Sequence, residues 1–122
     1  MPITTEYNGE FIVTKMTGVI TLPELLAYGK RFEALEANLP TAPHRLADLS
    51  GGAVGDLDVV EMNTYAATRR TARLKNPVKS AIVAADAVQF GFARMFQTLN
   101  SNPDIRVEIF QNEETALAWL RE

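Results

Sequence analysis

The chain has 122 residues, 47% of them hydrophobic and 22% charged, with a net charge of −3 and no cysteine. This balance predicts one ordinary globular domain over residues 1–122, able to bury roughly two-thirds of its unfolded surface. It excludes disulfides, thiol chemistry and thiolate metal sites, favours a cytoplasmic setting, and argues against nucleic acid; no signal-peptide pattern or membrane-spanning apolar run is seen.

Ile3 to Tyr7 and Glu10 to Thr17 read as two strands joined at Asn8-Gly9, a dipeptide favoured in two-residue hairpin turns. Alternation places Ile3, Thr5, Tyr7, Ile12 and Met16 on one face and Phe11 and Val13 on the other. The second strand is thus apolar on both sides, as an interior strand beside an edge strand should be. Gly18 is expected to end it. Thr21-Leu22-Pro23-Glu24 has the spacing of a capping box, and Leu25, Tyr28, Phe32, Leu35 and Leu39 recur on one helical face until Pro40 and Pro43.

Arg45 to Leu49 reads as a short strand that gives way to a glycine-rich loop, where Gly51, Gly52 and Gly55 provide positive-φ turns. Asp56 is the expected cap of a second helix reaching about Leu74, with Val59, Val60, Asn63, Ala66 and Ala67 inward. Asn76-Pro77 stops it. Val78 to Ala85 is a nearly unbroken apolar strand, and Asp86 caps a third helix to about Leu99. Asn102-Pro103-Asp104 leads into the strand Ile105 to Phe110, and Asn112 caps a short last helix with Leu117 and Leu120 inward. The order predicts an α/β fold: a mostly parallel five-stranded sheet with an antiparallel N-terminal edge strand, and four helices. Right-handed crossovers between sequential strands set the helices largely on one side. The other face then needs cover from side chains, a partner subunit or a lipid-like ligand.

This alternation, together with Asp48-Leu49-Ser50-Gly51, Phe90-Gly91-Phe92-Ala93-Arg94-Met95-Phe96 and Glu114-Thr115-Ala116-Leu117-Ala118-Trp119-Leu120, resembles the STAS-like proteins. These are small bacterial relatives of the sporulation anti-anti-sigma factors and of the cytoplasmic domains of sulphate transporters. The resemblance covers nearly the whole chain. It implies a (βα)n superhelix of the STAS type, distantly shared with CRAL-TRIO lipid-binding domains, and a regulatory, protein-binding role without catalysis. In anti-anti-sigma factors a serine within Asp-Ser-Ser-Gly, at the start of the second helix, is phosphorylated by the partner kinase. The matching Val54-Gly55-Asp56-Leu57-Asp58-Val59 has no hydroxyl residue, and Ser50 falls several residues too early. Asp56 and Asp58 put fixed negative charge where the switch would add it.

Individual residues carry little chemistry by themselves. Asp48 and Ser50 stand where α/β ligands gather, yet turn chemistry alone accounts for them. GGAVGD lacks the lysine of a P-loop and the spacing of a dinucleotide loop. Asp56 and Asp58 suit a helix N-terminus better than an acid/base pair. His44, the only histidine, lies roughly 20 Å from Ser50 along a strand, which excludes a triad. The cluster Arg69, Arg70, Arg73, Lys75 and Lys79 reads as a solvated face. Arg94 interrupts an apolar helix and is expected to pair with Asp86 or Glu108, or to meet solvent, an anion or a partner.

The candidate ligand or partner surface is therefore Asp48, Ser50, Asp56, Asp58 and Arg94, and the candidate apolar interface is Phe90, Phe92, Met95 and Phe96. No catalytic set, metal or cofactor is expected. The expected partner is another protein or a second copy of the chain as a homodimer. The alternative is a carrier of a small apolar molecule or lipid.

Overall fold

The computed structural model describes residues 2–53, 55 and 57–122. Strands β1 (Ile3–Tyr7), β2 (Ile12–Val19), β3 (Arg45–Ala53), β4 (Val78–Val83) and β5 (Ile105–Phe110) form one sheet in sequential order. β1 runs antiparallel to β2, and each later neighbour is parallel. Helices α1 (Leu22–Ala37), α2 (Val59–Arg70), α3 (Ala87–Asn100) and α4 (Glu113–Leu120) complete the α/β fold expected from the sequence.

Because side chains alternate along a strand, the sheet divides two cores. Ile12, Met16, Leu49 and Ile82 face α1, α2 and α3 in the larger one, with Leu25, Phe32, Met62 and Phe92. Leu46, Ala81 and Val83 face the other way, joining Phe11, Ala116 and Leu120 in a smaller core under α4. Three helices thus share one side. On the opposite face the chain's own last helix covers β3, β4 and β5, part of the surface for which the sequence predicts cover by side chains, a partner or a ligand. Ala116 and Leu120 supply that helix with a buried side, and Lys79 Nζ donates to the carbonyls of Trp119 and Glu122 at its C-terminal end. A cation there suits the negative pole of the helix.

The hairpin is shifted from its expected register. Ile3 pairs with Met16 and Tyr7 with Ile12, so the connection is the four residues Asn8 to Phe11. Asn8 Oδ1 accepts the N–H groups of Glu10 and Phe11 at 2.9 and 2.8 Å, which stabilises the longer loop. The shift is two residues, so every side chain keeps the face that alternation assigned to it. Beyond it β2 continues through Gly18 to Val19.

Three further local expectations are corrected. Thr21 precedes α1 but its side chain makes no capping bond. The glycine-rich loop is in part strand: β3 continues through Gly51 and Gly52, whose added Cβ atoms would stand 3.3 and 3.4 Å from the Met16 carbonyl oxygen. Those glycines let two backbones approach at the register shift between Lys15 and Thr17, and only Gly55 of the three has a positive φ, +63°. The cap of α2 is Asp58, whose Oδ1 accepts the Glu61 N–H at 2.8 Å; Asp56 and Val54 lie outside the described residues.

The inner side of α2 also differs. Val59 and Val60 are exposed, while Met62, Tyr65, Ala66 and Arg69 are buried. These recur at helical spacing with an arginine as the fourth member, which a search for apolar residues passes over.

Candidate functional site

A cavity of about 60 Å³ lies between the sheet and helices α1, α2 and α3. Most of its wall is apolar, with Leu25, Leu49, Met62 and Ile82 among its members, but Arg45, Arg69, Tyr65 and Ser80 also line it. Arg45 opens β3 and shares the inward parity of Ala47 and Leu49, with Ser80 beside it in register on β4. Arg69 closes the buried stripe of α2.

The two guanidiniums stand around one aromatic ring, their Cζ atoms 4.4 Å (Arg45) and 5.5 Å (Arg69) from the centroid of Phe32. Cation–π attraction stabilises each in this apolar setting. Arg45, 8% exposed, donates from Nη2 to Glu36, while its buried Nε has no partner. Burial pulls its pKa down, Glu36 opposes that, and Arg69 adds to it. Arg69 is only 5% exposed, and its nearest carboxylate, Glu33, is 3.6 Å away with 56% of its side chain in solvent. Tyr65 stacks on Tyr28 at 6.5 Å, and burial holds its hydroxyl far above the usual tyrosine pKa, firmly protonated. Tyr28 accepts from the buried Thr14 hydroxyl at 3.3 Å. The arrangement offers positive charge and hydroxyls inside an apolar chamber, with no carboxylate in its lining.

The residues singled out from sequence lie elsewhere. Asp48 is on the α4 side of the sheet, beside Lys15 and Val83 in register, and its Oδ1 accepts the Ser50 N–H at 2.9 Å. This is the turn chemistry the sequence suggested. Ser50 is exposed, and its carbonyl accepts from Gln89 Nε2 at 3.3 Å. Arg94 does not make the expected ion pair. It is exposed and donates to Gln97 at 2.9 Å, while Asp86 caps α3 through the Gln89 N–H and Glu108 lies 3.8 Å from Arg106. In the candidate apolar interface, Phe92 is core, Met95 and Phe96 are half-buried against it, and Phe90 stands 48% exposed.

Phe90 has company at the carboxyl end of the sheet. Val19 ends β2, Val59 and Val60 open α2, and Val88 opens α3; all are exposed. Asp58, Glu61 and Asp86 belong to the same helix starts. The basic cluster, by contrast, is dispersed: Arg69 is inside, Arg70 binds Asn63 and the Leu99 carbonyl, and Lys75 binds the carbonyls of Ala37 and Leu39. His44 accepts the Lys79 N–H on Nδ1 at 2.9 Å. Among the described residues no three histidine or acidic side chains gather as a metal site, and no helix is long and apolar enough to cross a membrane.

No protein-family model matches the chain, and no curated protein matches its sequence. Several solved structures match its shape, and two of them match over nearly their full length. One is an uncharacterized protein of the DUF3478 family with a SpoIIAA-like fold, from Shewanella loihica, with a TM-score of 0.61 and 18% identity over 97% of this chain and 91% of that one. The other is an anti-sigma factor antagonist from Mycobacterium paratuberculosis, with a TM-score of 0.62 and 17% identity over 98% of this chain and 93% of that one. The likeness extends over nearly the full length of each and shows the STAS-type fold expected from the sequence.

Proposed function

We propose that the chain is a STAS-type regulatory module that binds another protein, works without catalysis, and is not switched by phosphorylation at the start of α2. The observation that carries this reading is the exposed apolar group Val19, Val59, Val60, Val88 and Phe90 at one end of the sheet. Exposed apolar side chains gathered at one place, rather than scattered, mark interaction surfaces. The same helix starts, those of α2 and α3, carry the acidic residues Asp58, Glu61 and Asp86. They favour a partner with a basic border over a second copy of this chain, which would bring the same charges to the contact. The anti-sigma factor antagonist with the same fold supports a protein partner.

The test is a double variant, V60E together with F90E, used beside the wild type as bait for chemical cross-linking in extract of the source cells. A specific protein held by the wild type and lost by the variant, at unchanged melting temperature, is the expected result. Equal capture by both would sink the assignment of this surface. Sedimentation of the two proteins checks the homodimer expected from sequence: a dimer that V60E/F90E dissolves would make the second copy the occupant.

A second reading rests on a different observation. The 60 Å³ cavity behind α1 favours binding of a small apolar molecule, independently of the outer surface.

A further inference from the structure

We infer that the cavity binds a small monocarboxylate, its short apolar body against Leu25, Met62 and Ile82 and its carboxylate on Arg69 and the Nε–H of Arg45. This rests on the ligand-binding reading just given and assigns it a ligand class.

The charge arrangement leaves a donor for an acceptor from outside. Burying a guanidinium is costly unless its N–H groups and its charge are both answered. Arg45 is answered in part: Glu36 takes Nη2, but Nε is buried and unpartnered. Arg69 is answered by an ion pair alone. Its guanidinium makes no hydrogen bond to protein among the described residues, and Glu33, at 3.6 Å, is mostly in water. Both arginines line the same cavity, and no Asp or Glu does. A carboxylate from outside matches the planar fork of an arginine with two parallel hydrogen bonds, in a place where no protein group supplies them. The hydroxyls of Tyr65 and Ser80 in the same wall are further donors to such an anion.

Volume and wall chemistry set the rest of the ligand. One water needs a cavity of at least about 10–15 Å³. The 60 Å³ present therefore exceeds the space of a single water several-fold and is on the scale of a short aliphatic acid. That volume is too small to enclose a nucleotide or a diacyl lipid. The mostly apolar lining rejects a second charge and accepts a hydrocarbon body.

Of the four methionines, Met16 and Met62 line the cavity and Met95 does not. Methyl-labelled methionine therefore gives a reporter with its own control. The wild-type protein would be titrated with butyrate, the neutral isostere butyramide and butylammonium. Butyrate is expected to shift the Met16 and Met62 methyl signals saturably and leave Met95 in place. Butyramide should bind about tenfold more weakly or worse, and butylammonium not at all. R69M should weaken butyrate by about tenfold or more. S80V, which adds bulk to the chamber and leaves both arginines in place, should block butyrate even if R69M does not fold.

Equal binding of butyrate and butyramide would overturn the carboxylate assignment while leaving an apolar-ligand site. Silence of Met16 and Met62 toward every compound would overturn both. Unaltered butyrate affinity in folded R69M, or in S80V, would place the ligand outside this cavity and overturn the inference.

Discussion

His44 shows how one residue's place in the fold fixes its chemistry. Its Nδ1 accepts the backbone N–H of Lys79, a bond that requires this nitrogen to be unprotonated. Burial lowers its pKa, and the positive charges of Lys79 and Arg45 push the same way. The unfolded chain, with an ordinary histidine value near 6.5, therefore takes up the proton first as pH falls. The stability that neutral His44 contributes is complete above that value and is lost as pH drops through the lower, folded one. The urea midpoint of the wild type should fall between about pH 7 and pH 5, and H44Q, which keeps an acceptor but does not titrate, should flatten that fall. Identical slopes in the two proteins would remove His44 as the cause. The arginines were less legible. In sequence Arg69 stands among other cations and reads as surface, and Arg45 merely opens a strand. Their meeting around Phe32 brings together α1, α2 and β3, a long-range event with no local signature.

Helix starts separate sequence motifs that form their bonds from one that does not. Asp58, Asp86 and Asn112 each accept the N–H three residues on, at 2.8 to 2.9 Å, whereas Thr21 makes no such bond despite its capping-box spacing. D86A should cost about 1 kcal/mol in urea unfolding and T21A no more than a few tenths. Equal losses would mean that the Thr21 hydroxyl also caps its helix in solution. The order of elements was readable because it rests on local signals such as periodicity, caps and proline stops. What escaped was decided by loop bonds and by pairing between strands. The two-residue slip of the hairpin depends on the loop bonds of Asn8. The extension of β3 through Gly51 and Gly52 depends on β2 lying close enough to pair. Face assignments in the hairpin survive, because strand alternation is insensitive to a slip of two.

The sheet shares its side chains between two cores, and this bears on how the molecule unfolds. Leu46 and Ala81 enter the small core while their neighbours Leu49 and Ile82 enter the large one. Losing α4 exposes one face of the same strands that hold the other core together, so the two should not melt separately. Trp119, the only tryptophan, reports on the small core directly: it lies 5.5 Å from Phe110, with Lys79 Nζ 5.2 Å and Arg106 Cζ 5.6 Å from its ring. Leu120, 2% exposed, is the anchor to remove. L120A should cost about 2–5 kcal/mol, the range for emptying a buried leucine site. Tryptophan emission and far-ultraviolet circular dichroism should nonetheless follow one coincident urea transition in both proteins. A tryptophan transition that precedes loss of secondary structure would show α4 detaching alone, opening the face of the sheet for which the sequence predicts a need for cover.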